Sequence, residues 1–313
     1  MSNLTVSAAP HIRTGASTSR IMTDVLIALV PAFIASIIIF GSRSILVVCV
    51  CVATCVFCEW AYEKAMKKQC TVRDMSACLT GVILAFNLPA TIPVWQAVFG
   101  SAVAIILIKQ LFGGLGKNFA NPAATARIVM FLAFSTTMTN WPSPVNSFAW
   151  VTIDSLSGAT PLAMIARGDA NLPGLIDMFL GIRGGALGET SVLALLIGGI
   201  YLIIRRVITW HTPVIFVATV FVFTALLGRQ PVYQVLSGGL ILGAIFMATD
   251  YVTTPQTSSG RLIFGVGAGL ITVLVRIYGS YPEGVSFAIL LMNILTPYIN
   301  KLTMNKPLGG VKP

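Results

Sequence analysis

Charged residues are scarce in this chain of 313 residues: they make up 10% of it, whereas soluble domains carry about 25%. Hydrophobic residues make up 56%, and the mean hydropathy is +0.88. A soluble protein of this size cannot cover its surface with so few charges. The composition therefore excludes a soluble enzyme, a disordered chain, a coiled coil and a disulfide scaffold, and it indicates a polytopic integral membrane protein.

Metal ligands are equally sparse. The two histidines, His11 and His211, are too few and too far apart to predict a metal site. Among the six cysteines, Cys51, Cys55 and Cys58 share one face of a single apolar helix. A metal cluster needs four converging thiolates, whereas cysteine on an apolar helix behaves as a small hydrophobic residue. These cysteines are therefore predicted to serve packing.

Ten apolar stretches approach the roughly 20 residues that a helix needs to cross a bilayer. The sequence thus predicts an all-α polytopic membrane protein with about ten transmembrane helices. No cleavable signal peptide is predicted, because the first apolar run is long enough to remain as a span. The predicted spans are Met22–Phe40, Ile45–Tyr62, Ser76–Pro89, Val94–Phe112, Pro122–Met138, Thr190–Ile204, Ile208–Gly228, Val232–Thr249, Leu262–Ile277 and Gly284–Asn300.

The distribution of positive charge predicts the orientation. With the N-terminus inside and the spans alternating, 15 of the 20 Lys and Arg residues fall on the inner side, while the acidic residues divide evenly. This bias fits cytoplasmic N- and C-termini, and it accounts for the net charge of +10 without nucleic acid. The five cations assigned to the outer side are Arg43, Arg167, Arg183, Arg229 and Arg276.

Two regions of the sequence resemble each other. One begins at Leu79-Thr80-Gly81 and the other at Leu236-Ser237-Gly238, and five spans separate them. An odd number of spans predicts an inverted 5+5 repeat, with residues 1–138 as the first half, 139–189 as a long outer loop and 190–313 as the second half. Breaks such as Asn87-Leu88-Pro89 predict interrupted helices, which often mark ligand or ion sites. Ordinary short helices with proline turns are the alternative.

The outer loop contains Asp154-Ser155-Leu156-Ser157-Gly158-Ala159-Thr160-Pro161. Gly158 and Ala159 allow another protein to approach the backbone closely, and Pro161 biases Thr160 away from helix. Thr160 is therefore expected to be accessible and extended, as a modification acceptor is. The alternative interpretation is a simple turn of small residues.

The sequence here resembles a known family. Asp154-x-x-Ser157-Gly158-Ala159-Thr160 is similar to the acceptor motif of flavin transferases. The motif occurs in a family that contains the D subunits of Rnf ion-translocating oxidoreductases and the B subunits of sodium-translocating NADH:quinone reductases. The length, and the lack of a long N-terminal extension, are more similar to the Rnf branch. The resemblance also covers Pro10-His11-Ile12-Arg13, Ile21-Met22, Ala28–Ala32, Phe112–Asn118, Asn121-Pro122-Ala123, Ala248-Thr249-Asp250 and Thr254-Pro255.

The resemblance implies that Thr160 carries FMN, joined through its phosphate, and that Asp154, Ser157, Gly158 and Ala159 form the recognition motif. It further implies a membership in a bacterial inner-membrane complex that passes electrons between ferredoxin and NAD and moves sodium ions or protons. The implied partners are an extracytoplasmic FMN subunit, small membrane subunits, soluble iron–sulfur subunits and a flavin transferase. Thr160 itself is expected on the extracytoplasmic side. No site for a terminal substrate is visible in the sequence.

A second ligand site is suggested by a glycine-rich turn before a span. Asn121-Pro122 has the pattern of an N-cap and first helical residue, and Gly113, Gly114 and Asn118 precede it. Such a terminus can hold an anion or a ring carbonyl, and the family resemblance suggests noncovalent riboflavin. Simple capping is the alternative.

Asp250 lies at a predicted helix break and is the candidate for coupling to ion movement, because ionisable groups within membranes are costly and functional. Two other interpretations stay open. The chain could be the B subunit of the quinone reductase, or it could be a passive channel or transporter for a small solute, which has no use for a flavin acceptor.

Overall fold

The computed structural model describes residues 17–142, 157–158, 160–167, 172–279 and 283–304. Each of the ten predicted spans contains helix, so the all-α polytopic architecture is confirmed. In the first half the helices are α1 (Thr18–Phe40), α2 (Arg43–Ala65), α3 (Ser76–Phe86), α4 (Val94–Gln110), α5 (Pro122–Ala133) and α6 (Ser135–Met138).

The outer loop and the second half follow. The loop contains a two-stranded pair, β1 (Trp141–Pro142) with β2 (Ser157–Gly158), and two short helices, α7 (Pro161–Arg167) and α8 (Leu175–Leu180). The second half contains α9 (Val192–Ile204), α10 (His211–Leu226), α11 (Pro231–Leu236), α12 (Leu240–Leu242), α13 (Ser258–Tyr278) and α14 (Val285–Thr303). A π-helical segment, Gly243–Met247, continues α12.

Only four described helices, α1, α2, α13 and α14, are long and apolar enough to cross a membrane alone. Helices α3, α4, α5, α9 and α10 are apolar but shorter. Short helices leave backbone groups unpaired at membrane depth, and those groups need protein partners. The fold therefore has to supply polar side chains at its interrupted helices.

Arginine side chains supply those partners at both breaks. After α3 the chain is buried and irregular until α4 begins, and Arg43 donates to the carbonyls of Ala90 at 2.8 Å and Ile92 at 3.2 Å. Between α11 and α12, Gly238 and Gly239 adopt positive φ angles of 66° and 65°. Arg276 of α13 donates to the carbonyls of Ser237 and Gly238, which lie at this break in the helix. The predicted interruption near Asn87 is confirmed, whereas the eighth predicted span is broken in its middle.

Close helix approaches occur at glycines. A Cβ on Gly198 of α9 would lie 2.1 Å from the carbonyl oxygen of Ala28 in α1. A Cβ on Gly81 of α3 would lie 2.8 Å from the Cα of Val52 in α2. Helix α2 packs on α3 and α4, and α10 packs correspondingly on α11 and α13. These contacts support an inverted duplication, which stays a prediction.

The charged residues separate to the two ends of the bundle, with one correction. Arg127 of α5 was assigned above to the inner side. In the structure it pairs with Glu283 and lies 4.0 Å from Glu189, both of which were assigned to the outer side. A loop count misplaces Arg127 because it cannot see how deep in a helix a side chain lies.

Candidate functional site

Thr160 lies directly before α7, and its hydroxyl oxygen accepts a hydrogen bond from the N–H of Ala163 at 3.3 Å. Its carbonyl accepts from the N–H of Met164 at 2.9 Å. These bonds are those of a residue that caps a helix. Thr160 is 6% exposed, so the expectation of an accessible hydroxyl is wrong. Its position outside the helix, directly before Pro161, agrees with the expected bias away from helix. The helix that Pro161 begins folds the side chain back onto its own first turn.

The rest of the predicted acceptor motif is described only in part. Ser157 and Gly158 form β2, in which Gly158 lies opposite Trp141 and Ser157 lies opposite Pro142. Asp154 and Ala159 lie outside the described residues. The strand pair fixes the backbone two residues before Thr160.

A polar cavity of about 270 Å³ lies beside α7. Leu162, Ile165 and Ala166 of α7 line it, together with Arg229, Gln234 and Arg276. The cavity therefore begins within one turn of helix from Thr160. It is lined by two arginines and by no carboxylate among the described residues.

Arg276 reaches this cavity from α13 and is itself buried. Its guanidinium donates to the backbone carbonyls of Gln234 at 2.5 Å, Ser237 at 3.0 Å and Gly238 at 3.3 Å. Its Nε is buried and has no hydrogen-bond partner among the described residues. The structure thus leaves one donor of a buried cation unused next to the cavity.

A buried cluster of charges lies between the two halves. Arg127 pairs with Glu283 and donates to Asn87 at 3.1 Å and to Ser286 at 3.2 Å. Burial raises the pKa of Glu283 to about 7, although the neighbouring Arg127 opposes that shift. The cluster joins the end of α3, the middle of α5 and the start of α14.

Arg183 of the outer loop belongs to the same end of the bundle. It donates to the carbonyls of Leu236 at 2.6 Å and Glu189 at 3.3 Å, and burial lowers its pKa. Arg183, Arg229 and Arg276 were all assigned to the outer side from the sequence. The structure brings them together around the break between α11 and α12.

A second charged cluster lies at the opposite end. Lys109 of α4 is 1% exposed and pairs with Glu59 of α2 at 2.6 Å. It also donates to the hydroxyl of Ser76 at 2.6 Å, while Gln110 donates to Glu59 at 2.9 Å. A nearby carboxylate, Glu63, accepts from both the hydroxyl and the N–H of Thr71. This cluster holds the start of α3 against α2 and α4.

A cleft opens beside that cluster, with about 770 Å³ of empty space including its mouth. Asn118 and Asn121 line it, as do Ser76 and Lys109. Asn121 caps α5, because its side-chain oxygen accepts from the N–H groups of Ala123 and Ala124 at 3.1 Å each. The simple capping interpretation of Asn121 therefore holds.

The other residues of the suggested second site divide between the cleft and a turn. The side-chain oxygen of Asn118 is buried without a hydrogen-bond partner in the described part of the chain. Gly113 and Gly114 do not line the cleft; they form the turn after α4, with φ angles of 112° and 90°. An unpaired buried oxygen facing a cleft is the feature that a ligand donor satisfies.

Asp250 lies on the wall of the same cleft. Its carboxylate accepts from the N–H of Val252 at 3.2 Å and from the hydroxyl of Thr253 at 3.3 Å. Burial raises its pKa, although these two hydrogen bonds oppose the shift. No cation pairs with it among the described residues.

Sequence reasoning named most of these charged residues and missed how they group. The pairing of Lys109 with Glu59 joins residues 50 positions apart, and the cavity beside α7 joins residues from three separate segments. The sequence shows that these charged residues lie inside apolar stretches, but it does not show which residue each of them contacts.

Comparison with known proteins gives a consistent result. The family model described as the NQR2, RnfD, RnfE family matches residues 5–309. A relative from Acetobacterium woodii, named as the D subunit of a Na⁺-translocating ferredoxin:NAD⁺ oxidoreductase complex, is 46% identical, over 99% of this chain and 96% of the relative. A relative from Clostridium ljungdahlii, named as the D subunit of a proton-translocating complex of that type, is 39% identical, over 97% of this chain and 96% of the relative.

A third relative, from Stutzerimonas stutzeri, is named as the D subunit of an ion-translocating oxidoreductase complex. It is 38% identical over 94% of this chain and 92% of the relative. The match therefore extends over nearly the whole of each protein. The family resemblance found in the sequence is confirmed, and the chain belongs to the NQR2, RnfD, RnfE family of membrane proteins.

Proposed function

We propose that this chain is the flavin-bearing membrane subunit of an ion-translocating oxidoreductase complex of the ferredoxin:NAD⁺ type. The names of the relatives support the type of complex, and the B subunit of a sodium-translocating quinone reductase is the alternative within the family. The observation that carries the flavin assignment is Thr160, which lies in a matching acceptor motif beside a polar cavity. No complete site for a terminal substrate is visible in the sequence, and we assign the reactions of those substrates to other subunits.

FMN is joined through its phosphate to the hydroxyl of Thr160 by a flavin transferase. When bound, the flavin supplies electron transfer in one-electron or two-electron steps, which suits a relay between partner subunits. The residues present fit this group, because the cavity next to α7 holds two cations and an unused donor of Arg276. The transferase has to reach the Thr160 hydroxyl before it settles onto α7.

Covalent flavin on a denaturing gel tests the proposal. The chain produced with its transferase is expected to give a fluorescent band, and Thr160→Ala is expected to abolish it completely. Thr139→Ala is the matched control, because Thr139 is exposed and its hydroxyl bonds only within its own helical turn. A wild-type band without fluorescence would contradict the flavin assignment and favour a passive channel or transporter.

A second, noncovalent flavin is proposed for the cleft near Lys109. Asn118 offers an unpaired buried oxygen that can accept from a flavin N–H, and Asn121 shapes the wall. Gly113 and Gly114 contribute the turn that positions Asn118. Riboflavin added to the purified chain is expected to bind more weakly to Asn118→Ala than to the unaltered chain.

Asp250 is proposed as the residue that couples this chain to ion movement. It borders the same cleft and lacks a paired cation in the described structure. The proposed setting is the bacterial inner membrane, with both termini and the cleft cytoplasmic and Thr160 on the opposite side. The proposed partners are an extracytoplasmic FMN subunit, small membrane subunits and soluble iron–sulfur subunits.

A further inference from the structure

The cavity next to α7 differs from the other charged regions because the charged side chains that line it are all positive in the described part of the chain. Arg229 and Arg276 face it, and no described carboxylate does. The nearby acids Glu189 and Glu283 lie against Arg127 instead, at 4.0 Å and in a direct ion pair. Neither lining arginine is in a direct ion pair with a described carboxylate, although Glu189 and Glu283 lie near enough to interact electrostatically with Arg276.

The two arginines are held differently. Arg276 is fixed by backbone carbonyls, which are neutral, so its positive charge is retained. Arg229 follows the end of α10 and is exposed, and its side chain makes no hydrogen bond or ion pair with the described residues. A fixed cation and a free one that line the same cavity suit an anionic ligand. The Arg229 guanidinium has its donors available in pairs, whereas Arg276 contributes its charge and the N–H of Nε.

We propose that Arg229 and Arg276 bind the ring system of the flavin on Thr160 within this cavity and stabilise its reduced, negatively charged form. The inference rests on the proposed covalent flavin at Thr160. Two electrons and one proton convert the oxidised ring to a reduced ring with a single negative charge. The electrons come from one-electron centres of partner subunits, and the proton comes from solvent. Because an opposite charge nearby favours the charged form, the arginines raise the reduction potential of this flavin.

Arg229→Gln tests the inference, because Arg229 is exposed and its replacement leaves the packing of α13 intact. The full-length chain, loaded by its transferase, is titrated with dithionite in the presence of redox mediators. The Thr160→Ala chain, titrated in parallel, provides the blank for any other flavin. We expect the variant to hold about tenfold less reduced flavin at a fixed potential, which is a fall of about 30 mV for a two-electron couple.

Two variants control for indirect effects. Arg229→Lys keeps the charge and is expected to recover most of the potential, and Arg206→Gln removes an exposed arginine at the opposite end and is expected to leave it unchanged. An unchanged potential in Arg229→Gln, with normal fluorescence of the gel band, would overturn the inference and leave the flavin assignment standing. A wild-type chain without covalent flavin would overturn both.

Discussion

Lys109 and Arg276 are buried cations in the last turns of α4 and α13, which correspond in the predicted repeat. Lys109 donates to a carboxylate, that of Glu59, at 2.6 Å. Arg276 donates to backbone carbonyls at the break between α11 and α12. Two corresponding positions thus satisfy a buried cation in two ways, and only the first places a carboxylate in direct contact with the cation.

This difference matches the two functions that we propose for the two ends of the bundle. At the Lys109 end, carboxylates compensate the cation, and the adjoining cleft retains Asp250 as an acid without a paired cation among the described residues. At the Arg276 end, neutral carbonyls hold the guanidinium, and the adjoining cavity is lined by two arginines and by no described carboxylate. A positive cavity suits a reduced flavin, and an acidic cleft wall suits a cation.

The largest loss of stability is expected from removing one partner of the buried Lys109–Glu59 ion pair. Lys109→Met leaves Glu59, which is fully buried, without its cation, and breaking a buried ion pair in this way costs about 3–5 kcal/mol. The midpoint of thermal unfolding in detergent should fall clearly below that of the unaltered chain. The double variant Lys109→Met with Glu59→Gln should recover much of the loss, because no charge is then left unpaired. A single variant as stable as the unaltered chain would show that Glu59 is not charged there.

A smaller loss is expected at the carbonyl-held cation. Arg276→Gln removes donors from the carbonyls of Gln234, Ser237 and Gly238 but breaks no direct ion pair with a described residue, so we expect a cost of about 1–3 kcal/mol. The same unfolding assay measures it, with Arg276→Lys as the variant that keeps the charge. A loss as large as that of Lys109→Met would contradict the distinction between the two positions.

The membrane-spanning helices were predictable because long apolar runs in a chain with so few charges seldom form any other structure. The break after Phe86 was predictable for a similar reason, since Pro89 and Pro93 interrupt an uncharged run. The break between α11 and α12 was not placed, because Gly238 and Gly239 occur in an apolar stretch where glycine also serves close packing. Their positive φ angles are visible only in three dimensions.

The candidate site was predictable in its residues and not in its arrangement. Thr160 was identified through its motif, and Thr160-Pro161 has the same helix-start pattern as Asn121-Pro122. The burial of Thr160 depends on packing around α7, which that local pattern does not show. Arg127 was grouped with the inner cations although it pairs with Glu283 and lies near Glu189 of the predicted outer loop, because charge counting ignores depth. The cavity beside α7 draws Leu162, Arg229 and Arg276 from three distant segments, and no local pattern links them.

The smallest stability effect is expected from Asp250→Asn, which keeps an acceptor for Val252 and Thr253 and should change stability by less than about 1 kcal/mol at pH 7. Because burial raises the pKa of Asp250, the folded chain binds this proton more tightly than the unfolded chain. Asp250 therefore contributes stability in acid that is lost as the pH rises through its folded-state pKa, and the variant should lose that slope. Ion uptake by proteoliposomes containing the assembled complex should fall sharply in the variant. Unchanged uptake would remove Asp250 from the ion path.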